Sequence, residues 1–461
     1  MPADHIPATI TLDRDFRIGP VDRRLFGSFV EHMGRCVYTG IFEPDHPTAD
    51  ARGFWTDVLD LVRRLGATVV RYPGGNFVSG YRWEDGVGPS DQRPRRLDLA
   101  WHATEPNTFG TDEFMAWCRA ADVEPMMAVN LGTRGVQEAV DLLEYCNHPG
   151  GTRSSDLRRA NGSAAPYDVR LWCLGNEMDG PWQIGHRPAA DYGRLAAATG
   201  RAMRMVDPGI ELVACGSSNP GMATFGSWEA TVLEECYDVV DYVSLHSYHD
   251  PTGRAPGDYL ATAVELDRAI EGVIATADHV GANLKSRKRL QLSVDEWNVW
   301  YYSRWPENDL SEWPDVRPLI EDTYDELDAT MVASLLVTLL RHADRIGVAC
   351  LAQLVNVIAP IRTEPGGRAW AQPTFEPFAR IAAAARGEVL RVEPRVATYA
   401  TSIGDVPLLD ATATYDEETG SFALILVNRS AEAPVRVSVG GHVELEVEVA
   451  PLSWSVVTPP A

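Results

Sequence analysis

From about residue 25 to about residue 385 this chain repeats one pattern: a short apolar run of strand character, then a longer stretch with apolar residues three and four apart. The strand candidates are Leu25–Glu31, Thr68–Pro73, Glu124–Asn130, Arg170–Glu177, Ile210–Ser217, Val240–Tyr248, Leu290–Glu296 and Gly347–Asn356. Helical patterns lie between or after them at Trp55–Leu65, Thr111–Ala121, Val136–Cys146, Ala189–Val206, Tyr259–Ala277, Asp325–His342 and Pro377–Ala385. This alternation fits an α/β chain whose strands close into a parallel (β/α)8 TIM barrel, here assigned to residues 19–386. An open doubly wound sheet is the competitor, but no glycine-rich nucleotide turn follows the first strand.

Beyond Gly387 the pattern changes. Ser421–Val427, Val435–Val439 and Val443–Val449 are β-rich, the last alternating strictly, with turn residues such as Gly440-Gly441 between them. Residues 387–461 therefore read as a small C-terminal antiparallel β-sandwich. The run Ala8–Leu12 has the same character, so residues 1–18 are expected to lend it a strand.

Charge narrows the partners. Lys+Arg number 41 against 65 Asp+Glu, a formal balance of −24, and such a surface repels phosphate backbones and anionic membranes. No nucleic acid and no membrane is expected as a partner. The one basic run, Lys285–Arg289, is short and reads as a solvated helix–strand connection. The first thirty residues lack an apolar core of signal-peptide length, and no later run approaches a membrane span. Seven scattered cysteines without a Cys-x-x-Cys suit buried thiols in a reducing compartment, so a cytoplasmic location is expected.

In a parallel barrel the chemistry lies at the C-terminal ends of the strands. Those ends supply Glu31, Arg71 with the following Gly74-Gly75-Asn76, Asn176-Glu177, His246-Ser247-Tyr248, Asp295-Glu296, Gln353 and Asn356, with Trp83, Trp101, Trp297 and Trp300 nearby. A carboxyl group at the end of a buried strand is costly unless paired, hydrogen-bonded or useful. One such glutamate is more often a loop ion-pair partner than a catalyst, and Glu31 alone could simply pair with Arg71. Two in matching settings, Glu177 after Asn176 and Glu296 after Asp295, reverse that balance. Paired carboxylates flanking a bond are what glycoside hydrolysis usually requires. Amides grip sugar hydroxyls, and indole faces cover sugar rings.

Other features have plainer explanations. Gly74-Gly75 reads as a backbone turn, Trp305 and Trp313 as loop packing, and the acidic run Glu321–Glu326 as a helix start, where negative charge complements the dipole. His246 and His249, three apart on a strand, turn their rings to opposite faces. Neither these nor His32 stands at a recognised metal spacing. No metal and no cofactor is expected.

Five runs together carry a resemblance: Gly27–His32, Arg71–Pro89, Gly175–Gln183, Asp295–Tyr301 and Cys350–Ile361. In order and across nearly the whole chain, they closely resemble α-L-arabinofuranosidases of glycoside hydrolase family 51. The resemblance implies a retaining mechanism without cofactor, with Glu177 as general acid/base and Glu296 as nucleophile. It further implies that Asn176 holds the sugar's 2-hydroxyl and that Tyr248 orients the nucleophile. Glu31, Asn76 and Gln353 match residues that bind arabinofuranosyl hydroxyls, and Arg71 would brace the nucleophile's end of the pocket. Trp101 and Trp300 would flank the entrance. The implied partner is an arabinose-containing oligosaccharide, and members are commonly homohexamers. The paired glutamates alone also fit a β-xylosidase or an endoglucanase on the same fold, or a non-catalytic carbohydrate-binding protein.

Overall fold

The computed structural model describes residues 5–305 and 311–459. Eight parallel strands close into a barrel: Gly27–Phe29, Val69–Tyr72, Glu124–Val129, Leu171–Leu174, Glu211–Ala214, Tyr242–His249, Gln291–Val299 and Ile346–Leu351. Each overlaps the expected run, the sixth and seventh continuing to His249 and Val299 and the eighth starting at Ile346. These strands are buried on both faces, which is why they read as continuous apolar runs rather than as alternation. Val69, Met126, Leu171, Val213 and Val348 fill the barrel's interior, while their neighbours Val70, Met127, Trp172, Leu212 and Ala349 turn outward against the helices.

The helices follow the expected periodicity with three differences. Helix Ser227–Cys236, after the fifth strand, was not anticipated, nor was Arg153–Ala160. The single stretch expected at Tyr259–Ala277 is two helices, Pro256–Ala261 and Ala263–Asn283. The acidic run does lead into a helix, Glu326–Arg341. Its N-cap is Asp325, whose side chain accepts from the Leu327 and Asp328 amides.

Past the barrel, a five-stranded sheet orders Arg17–Pro20, Glu388–Leu390, Leu409–Asp416, Ser421–Asn428 and Ser453–Val457. A three-stranded sheet of Ile6–Leu12, Val435–Gly441 and Leu445–Val449 shares an apolar core with it, built from Ile10, Leu12, Leu424, Leu426, Val435 and Val437 among others. This is the expected sandwich, and the N-terminal run does join it. One pair departs from the antiparallel expectation: Ile6–Leu12 runs parallel to Val435–Gly441. Leu424 and Leu426 face the small sheet, whereas Ile425 and Val427 pack into the barrel's core.

Asp410 ties the two parts together. Its carboxylate bonds Arg429 on the sandwich side and Arg341 on the barrel helix Glu326–Arg341, and Ser334 Oγ donates to it at 3.3 Å. Arg429 is 3 % exposed, so removing the carboxylate strands a buried cation. Asp410→Ala should destabilise the protein by about 3 kcal/mol, the scale for breaking a buried pair. Chemical denaturation would read this, and a change below about 0.5 kcal/mol would mean that the arginines find other partners.

Candidate active site

At the C-terminal mouth of the barrel lies a cavity of about 570 Å³. Glu31, Asn76, Trp101, Glu177, Tyr248, Glu296, Trp300 and Gln353 all line it. Arg71 and Asn176, the other two expected site residues, lie behind this wall, each about 1 % exposed. Segments widely separated in sequence thus bring these ten residues to one place, eight lining the cavity and two behind it.

Glu296 sits within the seventh strand, opposite His246 of the sixth. Register shifts between Ser244 and His246, and between Val294 and Trp297, break the ladder on both sides of it. Such irregularities re-aim side chains next to functional sites. Here consecutive residues, Asp295 and Glu296, both reach the guanidinium of Arg71. Arg71 Nη1 donates to Glu296 Oε1 at 2.8 Å, its Nε lies 3.3 Å from Asp295 Oδ2, and Nη2 donates to Asn176 Oδ1 at 2.7 Å. Tyr248 completes the grip on Glu296 by donating its hydroxyl to Oε2 at 2.7 Å.

Glu177 is not on its strand. The fourth strand ends at Leu174, and the chain turns through Gly175 and then Glu177 itself, whose φ is +43°. A non-glycine residue in the left-handed region costs energy and is characteristic of sites where a side chain must be aimed. Glu177 Oε1 accepts from His246 Nδ1 at 2.9 Å, and Oε2 accepts from the Trp182 indole at 2.8 Å. The carboxylate oxygens of Glu177 and Glu296 and a ring nitrogen of His246 lie within 4.8 Å of one another. This is the cluster among the described residues whose ligand atoms converge closely enough for a metal ion. Those atoms are already engaged, however, and the Arg71 charge against Glu296 opposes a further cation there.

The electrostatics separate the two glutamates. Burial raises the Glu177 carboxyl above its ordinary range and the negative charge of Glu296 raises it further, against the pull of its hydrogen bonds from His246 and Trp182. Burial alone would neutralise His246, but Glu296, Asp295 and Glu177 surround the ring and hold its pKa well above the usual value. Burial also acts against Asp295, whose charge Arg71 and His246 nevertheless preserve below the usual range.

Glu31 does not pair with Arg71. It accepts from the Phe77 amide and the Trp101 indole, each at 2.9 Å, and from Gln353 Nε2 at 3.2 Å. Burial pushes it up to about 8, with Glu296 adding to the effect. The glycines at 74 and 75 now have a different explanation from a turn. A Cβ on either would stand 2.8 Å from the Glu31 side chain, so the pair makes room for that carboxyl group.

Several site residues were not anticipated. Trp305 is not mere loop packing: it lines the cavity, stacks near Trp101 at 6.4 Å between centroids and meets Trp300 edge-on at 5.4 Å. Trp182 and the fifth-strand loop Ser218, Asn219 and Pro220 also line it. His246, expected at a strand end but given no part beside the glutamates, bridges them. Other residues lie elsewhere. Trp297 points outward to stack on Phe378, and Trp83 packs on Tyr145. His249 bonds Thr262, His32 bonds Glu105 and Tyr72, and Asn356 braces the loop at Arg35 and Thr363. Trp313 stacks on His102.

Two family models match the chain: the α-L-arabinofuranosidase 1 domain over residues 61–268 and the α-L-arabinofuranosidase C-terminal domain over 295–454. An intracellular exo-α-(1→5)-L-arabinofuranosidase of Streptomyces lividans is 58% identical over 440 residues, which are 94% of this chain and 66% of that protein. The chain thus spans about two thirds of that relative's length. An exo-α-(1→6)-L-arabinofuranosidase of Bifidobacterium longum is 53% identical, over 94% of this chain and 85% of its own. A solved family 51 α-L-arabinofuranosidase of Bifidobacterium longum superposes with a TM-score of 0.91 at 48% identity, covering 94% of this chain and 88% of that one.

Proposed function

The chain belongs to the exo-acting α-L-arabinofuranosidases of glycoside hydrolase family 51, and from that membership we propose that it releases terminal non-reducing arabinofuranose from short arabinose-containing oligosaccharides by a retaining double displacement. The observation that carries the mechanism is the pair of glutamates facing one cavity with oxygens within 4.8 Å of one another. Retaining enzymes hold their carboxyl groups about 5–5.5 Å apart, whereas inverting ones leave room for a water.

Glu296, aimed by Arg71 and Tyr248, attacks the anomeric carbon. Glu177, protonated, gives its proton to the departing oxygen as the glycosidic bond breaks, so the leaving sugar departs as an alcohol and the anomeric carbon stays ester-linked to Glu296. Glu177 then takes a proton from water, which displaces Glu296 from the sugar. Charge parity shows why one group can serve as acid and then as base. Arg71 and His246 supply two positive charges against Asp295 and Glu296, so the cluster is neutral while Glu177 keeps its proton. Forming the ester removes the Glu296 charge. The cluster then stays neutral only if Glu177 gives its proton up, which is the state a general base needs.

Asn176, Glu31, Asn76 and Gln353 bind the arabinofuranosyl hydroxyls in this reading, and Trp101 and Trp300 flank the leaving sugar. A cytoplasmic location is supported by the word intracellular in the name of the Streptomyces relative and by seven buried, free cysteines. Among the described residues no helix is long and apolar enough to cross a membrane. A homohexamer is proposed on family resemblance, with light scattering as its test. Relatives of similar identity are named for (1→5) and for (1→6) linkages, and assays on disaccharides of both linkages distinguish them for this chain.

The decisive assay is release of nitrophenol from p-nitrophenyl α-L-arabinofuranoside and from the β-D-xylopyranoside in parallel. The furanoside should be preferred by about a hundredfold or more, the scale of a few lost hydroxyl contacts. Preference for the xyloside would keep the two glutamates and overturn the sugar.

A further inference from the structure

The catalytic cavity does not end at its tryptophans. A second cavity of about 260 Å³ shares Leu99 and Ile184 with it. A third, of about 410 Å³, shares Arg82, Asp85 and Thr133 with the second. One hairpin, Arg96–Asp98 paired with Ala103–Glu105, builds the junction. Between its strands Trp101 reaches Glu31 in the catalytic cavity, and Leu99 lines both cavities.

The chemistry along this path is unusual for an idle surface. Leu97 and Leu99 are 57% and 63% exposed, a costly arrangement for two neighbouring large apolar side chains. Around them the charges are mostly satisfied: Arg96 bonds Asp85 at 2.8 Å, and Arg134 grips Glu84 through both guanidinium nitrogens at 2.6 and 2.7 Å. Arg82 is the exception. It is exposed and lines both distal cavities, and although its charge is felt by Glu84, its guanidinium makes no hydrogen bond or ion pair among the described residues.

Resting on the function proposed above, we infer that these two cavities form a distal groove for the leaving-group oligosaccharide. Its occupant is the part of a neutral arabino-oligosaccharide beyond the first sugar of the leaving group. The apolar C–H faces of those sugars cover Leu97 and Leu99, and their ring and hydroxyl oxygens accept from Arg82. Two arguments favour a saccharide over a protein. The groove is continuous with the place where the leaving sugar sits, and its leucines are interleaved with paired charges, whereas a protein-binding core is depleted of charge.

The test is steady-state kinetics of the intact enzyme on α-(1→5)-linked arabinobiose, arabinotriose and arabinotetraose, with p-nitrophenyl α-L-arabinofuranoside as a substrate too short to enter the groove. In the wild type, kcat/KM should rise about tenfold from the disaccharide to the tetrasaccharide, the value of about one charge-assisted hydrogen bond. Arg82→Ala and Leu97→Ser should each flatten that rise, mainly through KM, and leave the aryl glycoside unchanged. A wild type indifferent to length overturns the groove, as do variants that slow the aryl glycoside equally. A Leu97→Ser protein with an altered assembly by light scattering but normal length dependence also overturns it, and assigns the leucines to a second copy. Failure of the wild type on the aryl arabinofuranoside would instead overturn the function on which the groove depends.

Discussion

Glu296→Ala should lose on the order of 10⁴-fold or more in kcat on p-nitrophenyl α-L-arabinofuranoside, because no covalent intermediate can form without the carboxylate. The cavity it leaves is the right size for a small anion, and Arg71 and Tyr248 remain to receive one. Sodium azide should therefore restore turnover, and the product should be the glycosyl azide of inverted configuration. The stereochemistry distinguishes a missing nucleophile from a damaged fold. A protein retaining more than about one part in a hundred of its activity, a loss too small for a missing covalent step, would remove Glu296 from the role. So would azide giving the retained product. A near-ultraviolet circular dichroism spectrum matching the wild type would show that the barrel is intact.

Glu177→Ala should show a different dependence. For a natural oligosaccharide, whose alkoxide leaves poorly, the loss should be about 10²–10⁴-fold, the usual contribution of a general acid. A dinitrophenyl arabinofuranoside needs no proton to depart, so its first step should be close to wild type, and the missing base should make the second step limiting. Azide should then rescue by attacking the intermediate, giving the glycosyl azide of retained configuration. The pH profile supplies an independent readout. Burial and the charge of Glu296 raise the Glu177 carboxyl above the usual range, so the acid form persists into less acidic solution, and activity is lost as pH rises through that elevated value. Glu177→Gln should erase this alkaline limb for substrates with good leaving groups. A limb that survives unchanged would assign it to another group, with His246 the first to examine.

How much of this was legible in the residues depends on how each is held. The eight strands were legible because burial on both faces produces continuous apolar runs, and Glu177 and Glu296 because strand ends are the barrel's working edge. Helix Ser227–Cys236 is short, with glycine- and proline-bearing loop before it, and its apolar residues make less than three turns of pattern. The partnership of His246 with both glutamates depends on a register shift between Ser244 and His246, and period-two reasoning cannot see such a shift. Trp297 was misplaced for the opposite reason. It follows Glu296 on the strand, so regular alternation turns it to the helix side against Phe378. Trp182 and Trp305 come from loops, whose paths depend on tertiary contacts rather than on local pattern. The parallel pairing of Ile6–Leu12 joins residues from the two ends of the chain, and its direction is set by the sheet it enters, not by its own residues.

That terminal strand also dictates an order of assembly. Ile6 lies beside Val435, and every rung of the pair encloses the entire barrel. On a ribosome the strand Ile6–Leu12 emerges before the barrel and then waits unpaired while the barrel and the five-stranded sheet's middle are made. Closing so long a loop is entropically slow but adds little for each further doubling of length. The barrel is therefore free to close first, and the small sheet can be completed only once Val435–Gly441 has been made. An amino-terminal deletion through Leu12 would then be felt late, as an uncovered edge on the small sheet beside Val435–Gly441, in molecules whose catalytic mouth has already formed.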